Sequence, residues 1–178
     1  MILIFLGPPG SGKGTQAKLL AEKLKIPHIS LGDILREEVK KGTEIGLQAG
    51  KIINAGHLVP DEMTIELTRK RIKEADCRAG FIIDGFPRSA GQAKGLEQIL
   101  AENNLEIDRV YYFRITEEEA VKRLLLRGRH DDDESIIRER FEVYEKQTRP
   151  LIDHYIKLGK LVEVDAARQI DQVFKQLL

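Results

Sequence analysis

Tryptophan is absent, and cysteine occurs once in 178 residues, at position 77. A lone cysteine closes no internal disulfide and builds no cysteine-rich zinc site. The expectation is a reducing, cytoplasmic setting, no structural zinc, and a Cys77 that is a small buried residue rather than a reactive thiol. Long apolar runs are missing as well. The opening Met1-Ile2-Leu3-Ile4-Phe5-Leu6 falls far short of the roughly 20 residues of a membrane-spanning helix. It has neither a basic leader nor a small-residue cleavage site, so it reads as a strand and not as a signal peptide. No sign of charge is in surplus: Lys plus Arg number 29, as do Asp plus Glu. A general affinity for nucleic acid or for a membrane surface is therefore not expected. Repeats, low-complexity tracts and Pro/Gly/Ser-rich linkers are also lacking, and 178 residues suit a single domain, 1–178, with a two-sided core.

What is present is alternation. Short apolar runs at 2–6, 28–30, 81–84, 110–115 and 161–164 are separated by segments with helical spacing at 13–24, 33–41, 44–54, 61–75, 89–102, 117–127, 134–157 and 168–177. Strands separated by helices make βαβ units, hence an α/β fold with a parallel sheet and helices on both faces. In such sheets ligands bind beyond the carboxyl ends of the strands. Thr116 and Glu119 have the spacing of a capping box, and Asp61 lies near a helix cap with acid in the first turn. Ile137, Phe141, Tyr144, Leu151 and Tyr155 form a core-facing stripe along 134–157.

Directly after the first strand comes Gly7-Pro8-Pro9-Gly10-Ser11-Gly12-Lys13-Gly14-Thr15, and a helix follows. Glycines let the backbone curl so that its N–H groups face a phosphate, while the helix N-terminus adds partial positive charge and Lys13 a full one. This strand–loop–helix context marks a phosphate cradle, with Gly10, Ser11, Gly12, Lys13, Gly14 and Thr15 as donor-nucleotide residues. The usual pattern puts a hydroxyl directly after the lysine, where it can reach Mg²⁺. Here Gly14 stands there and Thr15 follows.

Further motifs come in order: Ser30-Leu31-Gly32-Asp33-Ile34-Leu35-Arg36, Gly56-His57-Leu58-Val59-Pro60-Asp61, Asp84-Gly85-Phe86-Pro87-Arg88 with Gln92, then Arg123, Arg127, Arg129-His130-Asp131-Asp132 and Arg140. Together with Gly12-Lys13-Gly14-Thr15-Gln16, this series resembles the adenylate kinase branch of the nucleoside monophosphate kinases over nearly the whole chain. The resemblance implies a three-layer P-loop fold with a five-stranded parallel sheet, a helical AMP-binding insert at about 30–59 and a residual lid at 128–131. It implies transfer of a phosphoryl group from ATP to AMP, with Mg²⁺ bound alongside ATP, by a monomer whose partners are ATP, AMP and ADP.

It also implies roles. Lys13, Arg88, Arg123, Arg127, Arg129 and Arg140 would serve catalysis, Arg123 by stacking on the ATP base. Arg123, Arg127 and Arg168 would join the cradle in holding ATP. Leu31, Arg36, Val59, Gly85, Arg88, Gln92, Arg129 and Arg140 would hold AMP. Asp84 and Asp33 would reach Mg²⁺ through water, and Thr15 is a further metal candidate. Each residue also has a plainer reading. Ser89 and Gln92 fit a capping box, Arg36 could pair with neighbouring acids, Asp33 could cap its helix, and 127–134 could be a solvated charge run. The four histidines show no metal spacing and are read as having no role in the site.

The chemistry suits a phosphate acceptor. The second pKa of a phosphate monoester lies near 6, so at neutral pH the acceptor is already a nucleophile and needs no base. Arginines abound around the expected site and no base motif is evident. Leu31 stands where a hydroxyl residue is usual in the family, and the lid is nearly absent. A UMP/CMP kinase is the nearest rival, disfavoured by Gln92. A GTP switch lacks its guanine and switch motifs here, and a catalytically silent nucleotide-binding module is disfavoured by the arginine set.

Overall fold

In the computed structural model, which describes residues 1–129 and 132–178, five parallel strands form one sheet. They are β1 (Ile2–Leu6), β2 (His28–Ser30), β3 (Phe81–Asp84), β4 (Arg109–Arg114) and β5 (Leu161–Asp165), in the order β2-β3-β1-β4-β5. Side chains on a strand alternate between faces, and the sequence uses both. Ile2, Ile4 and Leu6 of β1 join Phe81 and Ile83 of β3 and Val110 of β4 in one apolar cluster. Leu3 and Phe5 join Ile82, Tyr111 and Phe113 in another. A sheet apolar on both faces must be covered on both, and it is.

One face carries α1 (Lys13–Leu24) through Ala17, Leu20 and Ala21, and α9 (Ile170–Lys175) through Val173. The other carries α5 (Ala90–Glu102) through Ala93, Leu96, Ile99 and Leu100, and α8 (Pro150–Lys157) through Leu151 and Tyr155. Against the same cluster pack α2 (Leu31–Lys41), α3 (Glu44–Asn54) and α4 (Asp61–Arg71). A third cluster joins α6 (Glu117–Arg127) to α7 (Glu134–Val143) through Ala120, Leu124, Ile137 and Phe141. The expected three-layer α/β fold is the one observed.

Several local expectations need correction. The helix expected at 33–41 begins at Leu31. Its cap is Ser30, whose Oγ accepts from the Asp33 N–H at 3.3 Å, so Asp33 lies in the first turn and is not the cap. The single helix expected at 134–157 is α7, a π-helical turn Tyr144–Thr148, and α8. Pro150 is the cause: it has no N–H to give and its ring crowds the preceding turn. The chain widens instead, and Arg149 N–H reaches Tyr144 O at 2.9 Å. The segment 61–75 stops at Arg71, and a 3-10 turn, Ala75–Ala79, buries Cys77. Half of the Thr116–Glu119 box forms. Thr116 Oγ1 accepts from Glu119 N at 3.4 Å, but the Glu119 carboxylate goes to Arg123 Nε at 3.1 Å, a charged partner in place of a neutral one.

Candidate functional site

A cleft of about 660 Å³ opens at the carboxyl ends of β1, β2 and β3. The register sets Phe5 and Ser30 level with Asp84, so the loop after β1, the start of α2 and the turn after β3 meet there. The loop runs Gly7–Gly12. Gly10 (φ 80°) and Gly12 (φ 86°) hold left-handed conformations that side chains resist, and a Cβ on Gly10 would collide with Ala120 O. Gly12 is also the N-cap of α1, so the helix N-terminus points into the loop. Lys13 Nζ donates to Gly7 O (2.8 Å), Pro8 O (2.7 Å) and Ser11 Oγ (3.0 Å), a set that uses all three ammonium protons. Burial lowers its pKa to about 7. Asp84 opposes that shift, while Arg88, Arg140 and Arg127 add to it. The site is thus short of negative charge, as a polyanion's receptor should be.

The residues expected at the acceptor end gather beside a smaller hollow of about 70 Å³, lined by Leu31, Arg36, Val59, Gly85, Arg88 and Gln92 among others. Arg36 Nη2 pairs with Asp33 Oδ1 at 2.5 Å. Burial works against the Asp33 carboxylate, but Arg36, Ser30 and Arg129 hold it below the ordinary carboxylate range. Arg88 is fixed through its backbone: its N–H donates to Gln92 Oε1 (2.8 Å), and its carbonyl accepts from Thr148 Oγ1 (2.7 Å). Its Nε donates to Gly85 O at 2.8 Å. Gly85 (φ 78°) turns the chain sharply after β3. The capping-box reading of Ser89 and Gln92 is half right. Ser89 Oγ accepts from Gln92 N at 3.1 Å, while the Gln92 carbonyl oxygen serves Arg88 N.

On the far wall, Arg127 Nε and Nη2 donate to Asp132 Oδ2 and Oδ1 at 2.8 and 2.6 Å. Arg140 Nη1 lies 3.3 Å from Asp132 Oδ1, and Arg129 N–H donates to Oδ2 at 3.0 Å. The Asp132 side chain is fully buried. Burial disfavours its charge, yet these donors keep its carboxyl below the usual range. Within the charge run, Asp132 is thus a buried partner of the arginines, while Arg127, Arg129, Asp133 and Glu134 are exposed. Arg123 Nη1 and Nη2 bind Ala166 O (2.9 Å) and Ala167 O (3.3 Å), so its edge is given to the protein and its flat face is what it offers a ligand. Arg168 Nε pairs with Asp165 at 2.9 Å. Arg123, Arg127, Arg129, Arg140 and Arg168 all line the large cleft. Of the expected lid 128–131, His130 and Asp131 lie outside the described residues; α6 and α7 are joined by 128–133.

The arrangement fits a hydrated divalent cation. Asp84 lines the cleft at the end of β3, and a Cβ on Gly14 would lie 3.3 Å from Asp84 Oδ2. Gly14 thus leaves the carboxylate the space that a hydroxyl residue would fill. Thr15 is exposed and also lines the cleft, whereas Asp33 is committed to Arg36.

Some site residues escaped the sequence reading. His28, read as without a role, lines the cleft with its buried Nε2 3.4 Å from Asp84 Oδ2 and in no hydrogen bond. It opens β2, and nothing in that three-residue run signals its approach to Asp84. Thr148 and Gln16 gave no signal either: the first depends on the π-helical turn, and the second reaches Ile170 O at 2.9 Å from α1.

A family model described as adenylate kinase matches residues 5–160. An adenylate kinase of Mycolicibacterium vanbaalenii is 51% identical over 178 residues, covering 100% of this chain and 97% of the relative. One from Corynebacterium urealyticum is 47% identical with the same coverage, and one from Archaeoglobus fulgidus is 44% identical over 208 aligned positions, covering 99% and 96%.

Proposed function

The chain belongs to the adenylate kinase family, and on that premise we propose that it transfers a phosphoryl group reversibly from ATP to AMP in the cleft described above. The observation that carries the reading is that Lys13, Arg36, Arg88, Arg127, Arg129 and Arg140 come from five separate segments yet line one cavity. Asp33, Asp84 and Asp132 offset part of this positive charge, and the phosphates of two nucleotides end to end supply the larger negative charge that such a set of cations suits.

ATP lies with its phosphates over Gly10–Thr15 and its base against the face of Arg123 and the chain at Arg168. AMP lies in the smaller hollow, with its phosphate on Arg36 and Arg88 and its base between the Val59 backbone and Gln92. The insert 30–59 forms that wall. The AMP dianion attacks without help from a base, so the protein's task is alignment and charge cancellation. Arginine suits this because its planar fork matches two phosphate oxygens at once. Asp132 holds Arg127 and Arg140 in place, so little rearrangement is left for the reaction itself. Mg²⁺ bound with ATP would be held by Asp84 through water, with Thr15 nearby, and would neutralise charge on the transferring phosphates. Residues 128–131 would serve as a residual lid. The reading places the enzyme in the cytoplasm as a monomer, with ATP, AMP and ADP as partners.

A coupled assay of ADP formation with AMP, UMP, CMP and GMP as acceptors tests the assignment. AMP should be preferred; a preference for UMP or CMP would move the chain to the sister activity, with Leu31 the first residue to examine. Loss of all turnover would return it to a silent nucleotide binder.

A further inference from the structure

We propose that Asp61 is a specificity-determining positioning residue, which sets the spacing between the two walls of the acceptor-base pocket. The inference rests on the acceptor site proposed above.

Val59 and Gln92, which flank that base, belong to different segments: one ends the insert, the other lies in the first turn of α5. Asp61 opens α4, two residues after Val59. Its carboxylate receives the Ser89 hydroxyl, at 2.9 Å to Oδ1 and 3.0 Å to Oδ2. A serine hydroxyl has one proton, so giving it to Asp61 turns the oxygen's lone pairs to the Gln92 N–H, 3.1 Å away. Gln92 Oε1 in turn accepts from Arg88 N at 2.8 Å. Only an oxygen can accept there, so the orientation of the amide is fixed by chemistry. Gln92 retains for a ligand its two amide protons and one lone pair. One carboxylate thus aligns, through Ser89, the residue that reads the base, and ties it to the segment carrying Val59.

The helix packing is shaped around this contact. A Cβ on Gly91 would collide with Asp61 Oδ2, and one on Gly95 would collide with Ile65. Gly91 and Gly95 are one helical turn apart on α5, as Asp61 and Ile65 are on α4, so α5 is bare along the line where α4 lies. The carboxylate also sits where the N-termini of both helices converge, a favourable place for negative charge.

Two substitutions break the contact by different routes. Asp61→Ala removes the carboxylate. Gly91→Ala displaces it, while adding a residue of higher helix propensity that favours folding. Kinetics at saturating MgATP are measured with AMP, UMP and GMP. Each variant should raise KM for AMP about tenfold, the worth of one hydrogen bond to a charged group. The kcat/KM preference for AMP over UMP should narrow by a similar factor, with kcat and KM for ATP within about twofold of the parent. Asp61→Asn, which can still accept from Ser89, should keep most of the preference. If Asp61→Ala does not fold, Gly91→Ala decides. A parent enzyme that prefers AMP, with Asp61→Ala or Gly91→Ala retaining that preference in full, would overturn the proposal whatever happens to stability. A parent chain that phosphorylates no acceptor would overturn the functional reading and this proposal with it.

Discussion

Replacing Asp132 by alanine removes an acceptor that Arg127, Arg140 and the Arg129 N–H share. Breaking a buried, hydrogen-bonded ion pair by deleting one partner costs about 3–5 kcal/mol. The side chains of Arg127 and Arg140 are 34% and 17% exposed, so water can reach the guanidinium groups and recover part of the loss. A cost of about 2–3 kcal/mol follows. For a chain of this length each kcal/mol lowers Tm by roughly 2–4 °C, which gives a fall of roughly 4–12 °C. The two arginines also lose their fixed geometry, and kcat should drop by about 10–100-fold, as misplaced charge commonly does. Circular dichroism melting and the coupled ADP assay read both effects. The carboxyl is held below its ordinary range in the fold. Its stabilisation is therefore complete above the unfolded value and is lost as pH falls through the lowered folded one, so parent and variant should converge in Tm below roughly pH 4. A variant that melts within about 1 °C of the parent at pH 7 and turns over at parental rate would refute the idea that Asp132 organises these arginines.

Three further outcomes follow from the same geometry. Arg88→Ala removes a fork worth about 3–6 kcal/mol to a phosphate, so kcat/KM for AMP should fall about 10²–10⁴-fold. The melting temperature should fall by only a few degrees, because the Arg88 contacts to Gln92 and Thr148 are made by its backbone and survive, while its side-chain bond to Gly85 O is lost. Burial brings the Lys13 pKa to about 7, and a bound triphosphate must raise it, so ATP binding should take up close to one proton at pH 8. Calorimetry in buffers of different ionisation enthalpy measures this uptake, and buffer-independent heats would count against it. The raised bound-state value also means that affinity is greatest below pH 7 and weakens above it, by up to about tenfold per pH unit. With so short a connection at 128–133, ATP hydrolysis without an acceptor should be detectable, and an undetectable leak would show that the arginine-bearing helices close fully.

Much of this was legible in the sequence because it is local. A phosphate loop needs its strand, glycines, lysine and helix in immediate succession, and all five strands announce themselves as apolar runs that alternate between faces. What was missed depends on competition between partners far apart in sequence. Glu119 abandons its capping position for Arg123, and Gln92 serves Arg88 in place of its own cap. Pro150 was visible, yet the helical stripe around it reads as continuous, and only the backbone shows that a π-helical turn absorbs it. His28 lies in a three-residue strand whose pattern gives no hint of Asp84, because parallel register and not sequence brings β2 beside β3. Asp61 reads as first-turn acid on its own helix, and nothing before the fold reveals that α5 is bare where it reaches across.

The central claim is that two nucleotides lie end to end, with Lys13 and the arginines between them. A crystal structure of the chain with two adenosines joined by a polyphosphate tests it most directly. The account predicts one adenine against Arg123, the other beside Gln92 and Val59, and the phosphates running from Lys13 past Arg127 and Arg140 to Arg88 and Arg36. A complex in which only one adenosine is held, or in which the second lies away from Gln92 and contacts neither Arg36 nor Arg88, would contradict it.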